Sequence, residues 1–243
     1  MILFRSGSEP AELVAITQSD HARFAAQLLE LWRTGGLPEH PRRAELLFAV
    51  HEHDNGWREA DAAPKVSRES GRPLDFLEIA RDDRIEIWRR GVLRHQRPYP
   101  ALLIVHHALR LHAEQRAKPE WLAFFTDLES VREELSEQSG ISPAKIAEDY
   151  RWLELADALS LLACRRLGQE LIHNEIDRLR ARSHGNELVL DPLPLAGATT
   201  FAVPCRRVPD RRYQGDADFG LALASAKWET TEIRVVAAGR PPG

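Results

Sequence analysis

Several things are scarce in this chain, and each scarcity removes a class of protein. Of its 243 residues only two are cysteine, Cys164 and Cys205. They are far apart and in no CxxC pattern, which argues against a disulfide framework and a thiolate zinc site and suits a reducing compartment. Positive charge is not in excess: the formal net charge is -4, so the broad basic field of a dedicated nucleic-acid binder is missing. An anionic ligand in a locally positive pocket remains compatible with that balance. No apolar run approaches the ~18 residues needed to span a bilayer. The stretch from Met1 to Arg5 is too short for the apolar region of a signal peptide, and Glu9-Pro10-Ala11-Glu12 follows it. The expectation is a cytoplasmic protein with no membrane and no nucleic-acid partner. Internal repeats and low-complexity blocks are also missing. What is present is an ordinary globular mixture, 43% hydrophobic and 29% charged, long enough to bury a sizeable core. Ten histidines are the compositional exception.

The apolar patterning divides the chain. Ile2-Leu3-Phe4 and Leu13-Val14-Ala15-Ile16 flank the turn-rich Ser6 to Pro10 stretch, which predicts an N-terminal β-hairpin over 1–16. Thr17 to Asp20 then reads as a helix start, with Thr17 as N-cap, and that helix runs to about Arg33 before Gly35-Gly36. A second helix follows Pro41 and closes at Asn55-Gly56, where glycine would serve as a left-handed cap. Residues 58–80 read as irregular. Helical patterns return over 81–92, 99–116, 119–138 and 142–180. After His184 the texture turns to strand, with candidates at 187–190, 199–203 and 231–236. The expected architecture is mainly α, a helical bundle with a small sheet built from the N-terminal hairpin and C-terminal strands. The divisions are 1–16, a helical core over 17–183, a β-rich segment over 184–238 packing on it, and a disordered tail over 239–243.

Ionisable residues interrupt the apolar stripes of four of these helices. His21 shares a face with Phe24, Ala25, Leu28, Leu29 and Trp32; His53 and Asp54 follow Leu46, Leu47 and Val50; Asp157 aligns with Leu153, Ser160, Leu161 and Cys164; His107 aligns with Leu103 and Leu111. Each has a plain structural explanation by itself: a hydrogen-bonded core histidine, an aspartate paired with an arginine, a histidine at a helix C-terminus. Together they need compensation, because an unpaired buried carboxylate is very costly. A divalent metal held by imidazole nitrogens and carboxylate oxygens from facing helices supplies it.

The order His21, His53-Asp54, Asp157 resembles the His…His-Asp…Asp signature of the HD superfamily of metal-dependent phosphohydrolases. More closely, the chain resembles the DUF3891 family of bacterial proteins. That likeness is carried by Ile16-Thr17-Gln18-Ser19-Asp20-His21-Ala22, by His53-Asp54-Asn55-Gly56-Trp57, and by Tyr99 to Leu103 followed by His106-His107. Asp157 to Leu161 with Cys164, and Asp191-Pro192-Leu193-Pro194, continue it over nearly the whole chain. The resemblance implies an HD-like helical fold and a metal site held by His21, His53, Asp54 and Asp157, with His107 favoured over its neighbour His106 as a further ligand, and His112 beyond. Asp54 and His107 are the catalytic candidates. Gln18, Asp20, Trp57 and Ser160 would support the ligands, although Gln18 and Asp20 serve equally as helix-capping residues and Trp57 as packing. Arg110 could meet a phosphate.

The expectation for function is a metal-dependent hydrolase of a phosphate ester or phosphoanhydride, with a small-molecule substrate and a divalent ion (Fe, Mn, Zn, Ni or Mg) as cofactor. Two alternatives stand beside it: an iron-dependent oxygenase on the same ligands, and a non-catalytic protein that binds a metal, ligand or partner. Homo-oligomerisation is left open.

Overall fold

The computed structural model describes residues 1–7, 9–166, 168–173 and 176–239. In chain order the elements are β1 (Ile2–Arg5), β2 (Glu12–Ile16), α1 (Gln18–Glu30), α2 (Arg43–Glu52), α3 (Arg58–Ala62), α4 (Arg81–Val92), α5 (Pro98–Leu111), α6 (Leu122–Ser139) and α7 (Pro143–Arg165). They continue with β3 (Glu170–His173), β4 (Leu179–His184), β5 (Glu187–Asp191), β6 (Thr199–Pro209), α8 (Asp216–Ser225) and β7 (Trp228–Ala237). Short 3-10 turns at Asn55–Trp57 and Phe76–Glu78 matter for the site.

Local chemistry sets several boundaries. Thr17 caps α1 by accepting the Asp20 N–H at 3.0 Å, and Ser142 caps α7 by accepting that of Lys145 at 3.2 Å, with Pro143 at the first helical position. Gly140 ends α6 with a left-handed φ of 65°. Gly56 acts differently from the cap expected of it. Its φ is not positive; an added Cβ there would lie 2.2 Å from the Ile87 carbonyl oxygen of α4 and 3.0 Å from the Gly91 Cα. The glycine pair lets the turn after α2 rest directly on α4.

Among the described residues, seven strands form one mixed, curled sheet in the order β1-β2-β6-β7-β5-β4-β3. Every pairing is antiparallel except β5 with β7. The two chain ends meet where β2 pairs with β6, Val14 opposite Arg207. The inner face of the sheet, with Val14, Ile16, Phe201, Val203, Ile233 and Val235, shares one core with α1, α2 and α7. Phe24 of α1 meets Phe201 of β6 edge to face at 5.2 Å. A second core joins α4, α5 and α6 through Trp88, Val105, Trp121, Phe124 and Leu128. On the sheet's other face Leu13, Ala15 and Val208 pack with Phe219 and Leu223 of α8.

The architecture is therefore α+β, about half helical, and not the mainly α, HD-like bundle with a small sheet that the sequence suggested. The largest difference lies in the predicted 142–180 helix, which ends at Arg165 and gives way to β3 and β4. Along β4, Leu179, Ala181 and Ser183 are buried while Arg180, Arg182 and His184 are exposed, a clean period of two. Leu, Ala and Arg are good helix formers, so local propensity favoured a helix there; sheet pairing overrode it. Helix α3 and helix α8 also occupy stretches without a helical expectation. Of the tail expected to be disordered over 239–243, residues 240–243 lie outside the described residues.

Candidate metal centre

The site forms where the start of α1, the end of α2, α5 and α7 converge. His21 lies in the first turn of α1, and Asp157 and Ser160 lie one turn apart along α7. His53 and Asp54 sit just past α2. Consecutive residues of a regular helix diverge by about 100°, but here the chain leaves the helix: Asp54 has φ -104° and ψ 19°, in the sparsely occupied bridge region, before the 3-10 turn begins. That break lets both side chains face one point.

At that point the donor atoms crowd together. His21 Nε2 lies 2.7 Å from Asp54 Oδ2 and 3.9 Å from Asp157 Oδ1. His53 Nε2 lies 3.5 Å from Asp54 Oδ2 and 3.3 Å from Asp157 Oδ1. His107 Nε2 stands 3.9 Å from the other Asp157 oxygen, Oδ2. All five residues are buried. Two groups can hold a metal ion, His21/His53/Asp54 and His53/His107/Asp157, with His53 shared. Donors bound to one ion at about 2.0–2.2 Å stand roughly 3–4 Å apart; four of these five distances fall in that range, and the His21–Asp54 contact at 2.7 Å is a direct hydrogen bond.

The far side of each ring is also engaged. Ser160 Oγ donates to the Asp157 carbonyl at 2.9 Å, so its lone pair accepts the His21 Nδ1–H at 2.8 Å. His53 Nδ1–H donates to the Val50 carbonyl at 2.7 Å. With Nδ1–H engaged in this way on both rings, Nε2 is the nitrogen turned toward the carboxylates, the one that ligates a metal once its proton has left. His53 Nε2 is buried and makes no aligned hydrogen bond, so the site holds an orphaned polar atom that an ion would satisfy. His107 Nδ1 lies 3.1 Å from the Tyr150 hydroxyl, which can donate or accept.

Charge follows from this crowding. Burial alone would lower the His53 pKa, but the Asp54 and Asp157 carboxylates raise it to about 9. Burial would likewise raise Asp157, yet the contact with His53 and the charges of His53, His107 and His21 hold it well below the usual carboxylate range. His107, where burial prevails over the pull of Asp157, drops to about 4.

A cavity of about 230 Å³ opens over the cluster. Asp54, His107 and Asp157 line it, together with Gln18, Trp57, Phe76, Trp88, Arg84 and Arg165. His21 and His53 lie behind that lining. A larger cavity, about 620 Å³ beside Met1, Asp61 and Trp228, touches none of the five; donor chemistry, not size, marks the smaller one.

Of the supporting residues expected from sequence, Ser160 touches a cluster histidine, and Gln18 and Trp57 reach the cavity wall. Asp20 instead closes the first turn of α1, accepting from Thr17 Oγ1 at 2.5 Å and from Arg23 at 3.1 Å. His106 points away, packing on Tyr150 at 4.7 Å and lining a separate cavity. His112 reaches the cavity wall, but its Nδ1 binds the Ala108 carbonyl. Arg110 does not line the cavity. Arg84, Arg165, Phe76, Trp88 and Tyr150 had no sequence signal: nothing in residues 58–90 shows that this stretch folds over the cluster.

Among the described residues no helix is long and apolar enough to cross a membrane. A family model described as "Protein of unknown function (DUF3891)" matches residues 1–210, and the chain belongs to that family. No curated protein and no solved structure matches it.

Proposed function

For this member of the DUF3891 family, we propose a metal-dependent hydrolase acting on a phosphate ester or phosphoanhydride. The observation that carries the reading is the buried Nε2 of His53, without an aligned hydrogen-bond partner and facing two carboxylates, with His21 completing the ring of donors. His21, His53, Asp54 and Asp157 would hold the ion. The His…His-Asp…Asp order, similar to that of HD phosphohydrolases though set in a different architecture, favours phosphoryl chemistry. A divalent ion in such a site supplies Lewis acidity, lowering the pKa of a water and polarising a phosphoryl oxygen.

The chain's own residues do the rest. Asp54 and His107 are the cluster members with cavity contact, besides Asp157. Asp54 takes the proton as the water oxygen bonds to phosphorus; the ester P–O bond breaks, and that proton passes to the leaving alkoxide, giving phosphate and an alcohol. His107 is neutral at physiological pH. With the Tyr150 hydroxyl donating to Nδ1, it carries a proton on Nε2 for the charge that develops on the phosphoryl oxygens. Trp57, Phe76 and Trp88 exclude water around the reacting centre.

The test is elemental analysis of protein purified without chelator, wild type beside Asp157→Ala, followed by hydrolysis of p-nitrophenyl phosphate with added Mn²⁺, Zn²⁺, Ni²⁺, Fe²⁺ or Mg²⁺. About one equivalent of metal in the wild type, lost in the variant, with metal-dependent turnover, is the expected result. A metal-free, fully active Asp54→Ala protein would sink the mechanism.

A further inference from the structure

We propose that Arg84 and Arg165 form an anion subsite at the mouth of the cavity over the His/Asp cluster, which takes the phosphoryl group of a small phosphomonoester whose apolar body lies against Trp57, Phe76 and Trp88. This rests on the hydrolase reading and adds what holds the substrate and what shape and charge the substrate has.

Arg84 is the anomaly that leads there. It projects from α4 into the cavity wall and is half-buried. Two of its hydrogen bonds go to the Leu77 and Ile79 carbonyls, at 2.7 and 3.0 Å. Its Nε is buried without a partner. Among the described residues no carboxylate lies within ion-pair distance of it. Arg89 and Arg90 also have a buried, unpartnered Nε, but they differ in countercharge: Arg89 pairs with Asp127 at 2.5 Å, Arg90 with Glu59 at 3.6 Å, and Arg94 also with Glu59. The cation of this group that faces the cavity is the one left without a countercharge. A partly desolvated guanidinium without an anion is costly, and an anionic ligand removes the cost.

Arg165, in the last turn of α7, faces the same opening. It lies over the Phe76 ring, 5.5 Å from its centre. Its carboxylate neighbour Asp75 is 3.9 Å away and already accepts the backbone N–H groups of Leu3 at 3.2 Å and Leu77 at 3.1 Å. Two further lining residues carry a buried, unpartnered polar atom, the Trp57 Nε1 and the Gln18 Oε1.

Charge selects the ligand class. A divalent ion balances Asp54 and Asp157, so Arg84 and the loosely matched Arg165 remain as surplus positive charge. A phosphomonoester brings about -1.5 to -2 at neutral pH, and guanidinium forks match phosphate oxygens geometrically. A diester brings one charge and a second substituent. The cavity volume, about 230 Å³, is below the usual range for drug-sized ligands, about 300–1,000 Å³, which favours a small substrate with one flat apolar group on the aromatic wall.

The experiment uses Mn²⁺-loaded full-length protein, its metal content measured in every variant. Inorganic phosphate is titrated calorimetrically, and p-nitrophenyl phosphate is compared with bis(p-nitrophenyl) phosphate. Expected are phosphate binding to wild type, at least tenfold weaker binding in Arg84→Gln at unchanged metal content, and a larger loss of kcat/KM on the monoester than on the diester. Arg84 also anchors the Leu77 and Ile79 carbonyls, so Arg165→Gln, which leaves those bonds intact, is the second variant and should weaken phosphate in the same direction. Metal-loaded variants that bind phosphate as tightly as wild type, or a wild type that binds none, overturn the subsite. Phosphate binding that depends on Arg84, without turnover of either ester, would instead keep the subsite and remove the hydrolase.

Discussion

Loading the centre with metal should expel a proton, and His53 identifies which one. A ligating imidazole must be neutral at Nε2, yet the Asp54 and Asp157 carboxylates hold the metal-free His53 at about 9 despite complete burial. At pH 7 the ion therefore competes with a proton bound two pH units more tightly than the solution demands. The apparent metal affinity at pH 7 should be about 100-fold below its high-pH limit, roughly 3 kcal/mol. Below pH 9 log K should climb by about one per pH unit. His107 adds no proton to this count, since burial keeps it neutral at pH 7, and Asp157 is already ionised. The assay is calorimetry of chelator-buffered Ni²⁺ binding to metal-free protein at pH 7, in buffers of differing ionisation enthalpy, repeated up to pH 9. A metal affinity flat between pH 7 and 9, with no proton released, would refute the argument.

The same charge pattern governs the metal-free fold. His53 has a folded pKa raised above its ordinary 6.5, so its contribution is fully present below pH 6.5 and lost as pH rises through about 9. Asp157, depressed on folding, adds its part above the ordinary carboxylate range and loses it on acidification. Denaturant melts of metal-free protein should thus weaken between pH 6.5 and 9, and metal loading should flatten that slope; a metal-free protein equally stable across the window contradicts it. Ser160→Ala removes the acceptor for His21 Nδ1–H and should cost roughly 10–100-fold in metal affinity with the fold intact, read by the same calorimetry. His106→Ala should leave metal content unchanged while His107→Ala lowers either metal content or turnover; the opposite pattern would reverse the assignment. Gly56→Ala drives a methyl toward the Ile87 carbonyl and should destabilise by roughly 1–3 kcal/mol or more, seen as a lower Tm.

The sequence by itself pointed to the clustered residues better than to the architecture. His21, His53, Asp54, His107 and Asp157 were legible because each interrupts an apolar stripe, and burying such groups without compensation is too costly to be incidental. Thr17 and Ser142 marked their helix starts because capping is local chemistry. The sheet was only partly legible. β1, β2, β5, β6 and β7 showed in apolar and β-branched runs, but β4 is written largely in helix-forming residues, and β3 and β4 acquire their conformation by pairing with each other and, for β4, with β5. Placing His106 and His107 likewise needed the packed α5, since both lie against Tyr150 and only the reach of His107 to Asp157, with His106 lining a separate cavity, tells them apart. Arg84 and Arg165 are the clearest case of what tertiary structure alone decided. Most arginines are solvated, and nothing local distinguishes these two; only the folding of residues 76–84 across the end of α7 leaves one guanidinium at the cavity without a countercharge.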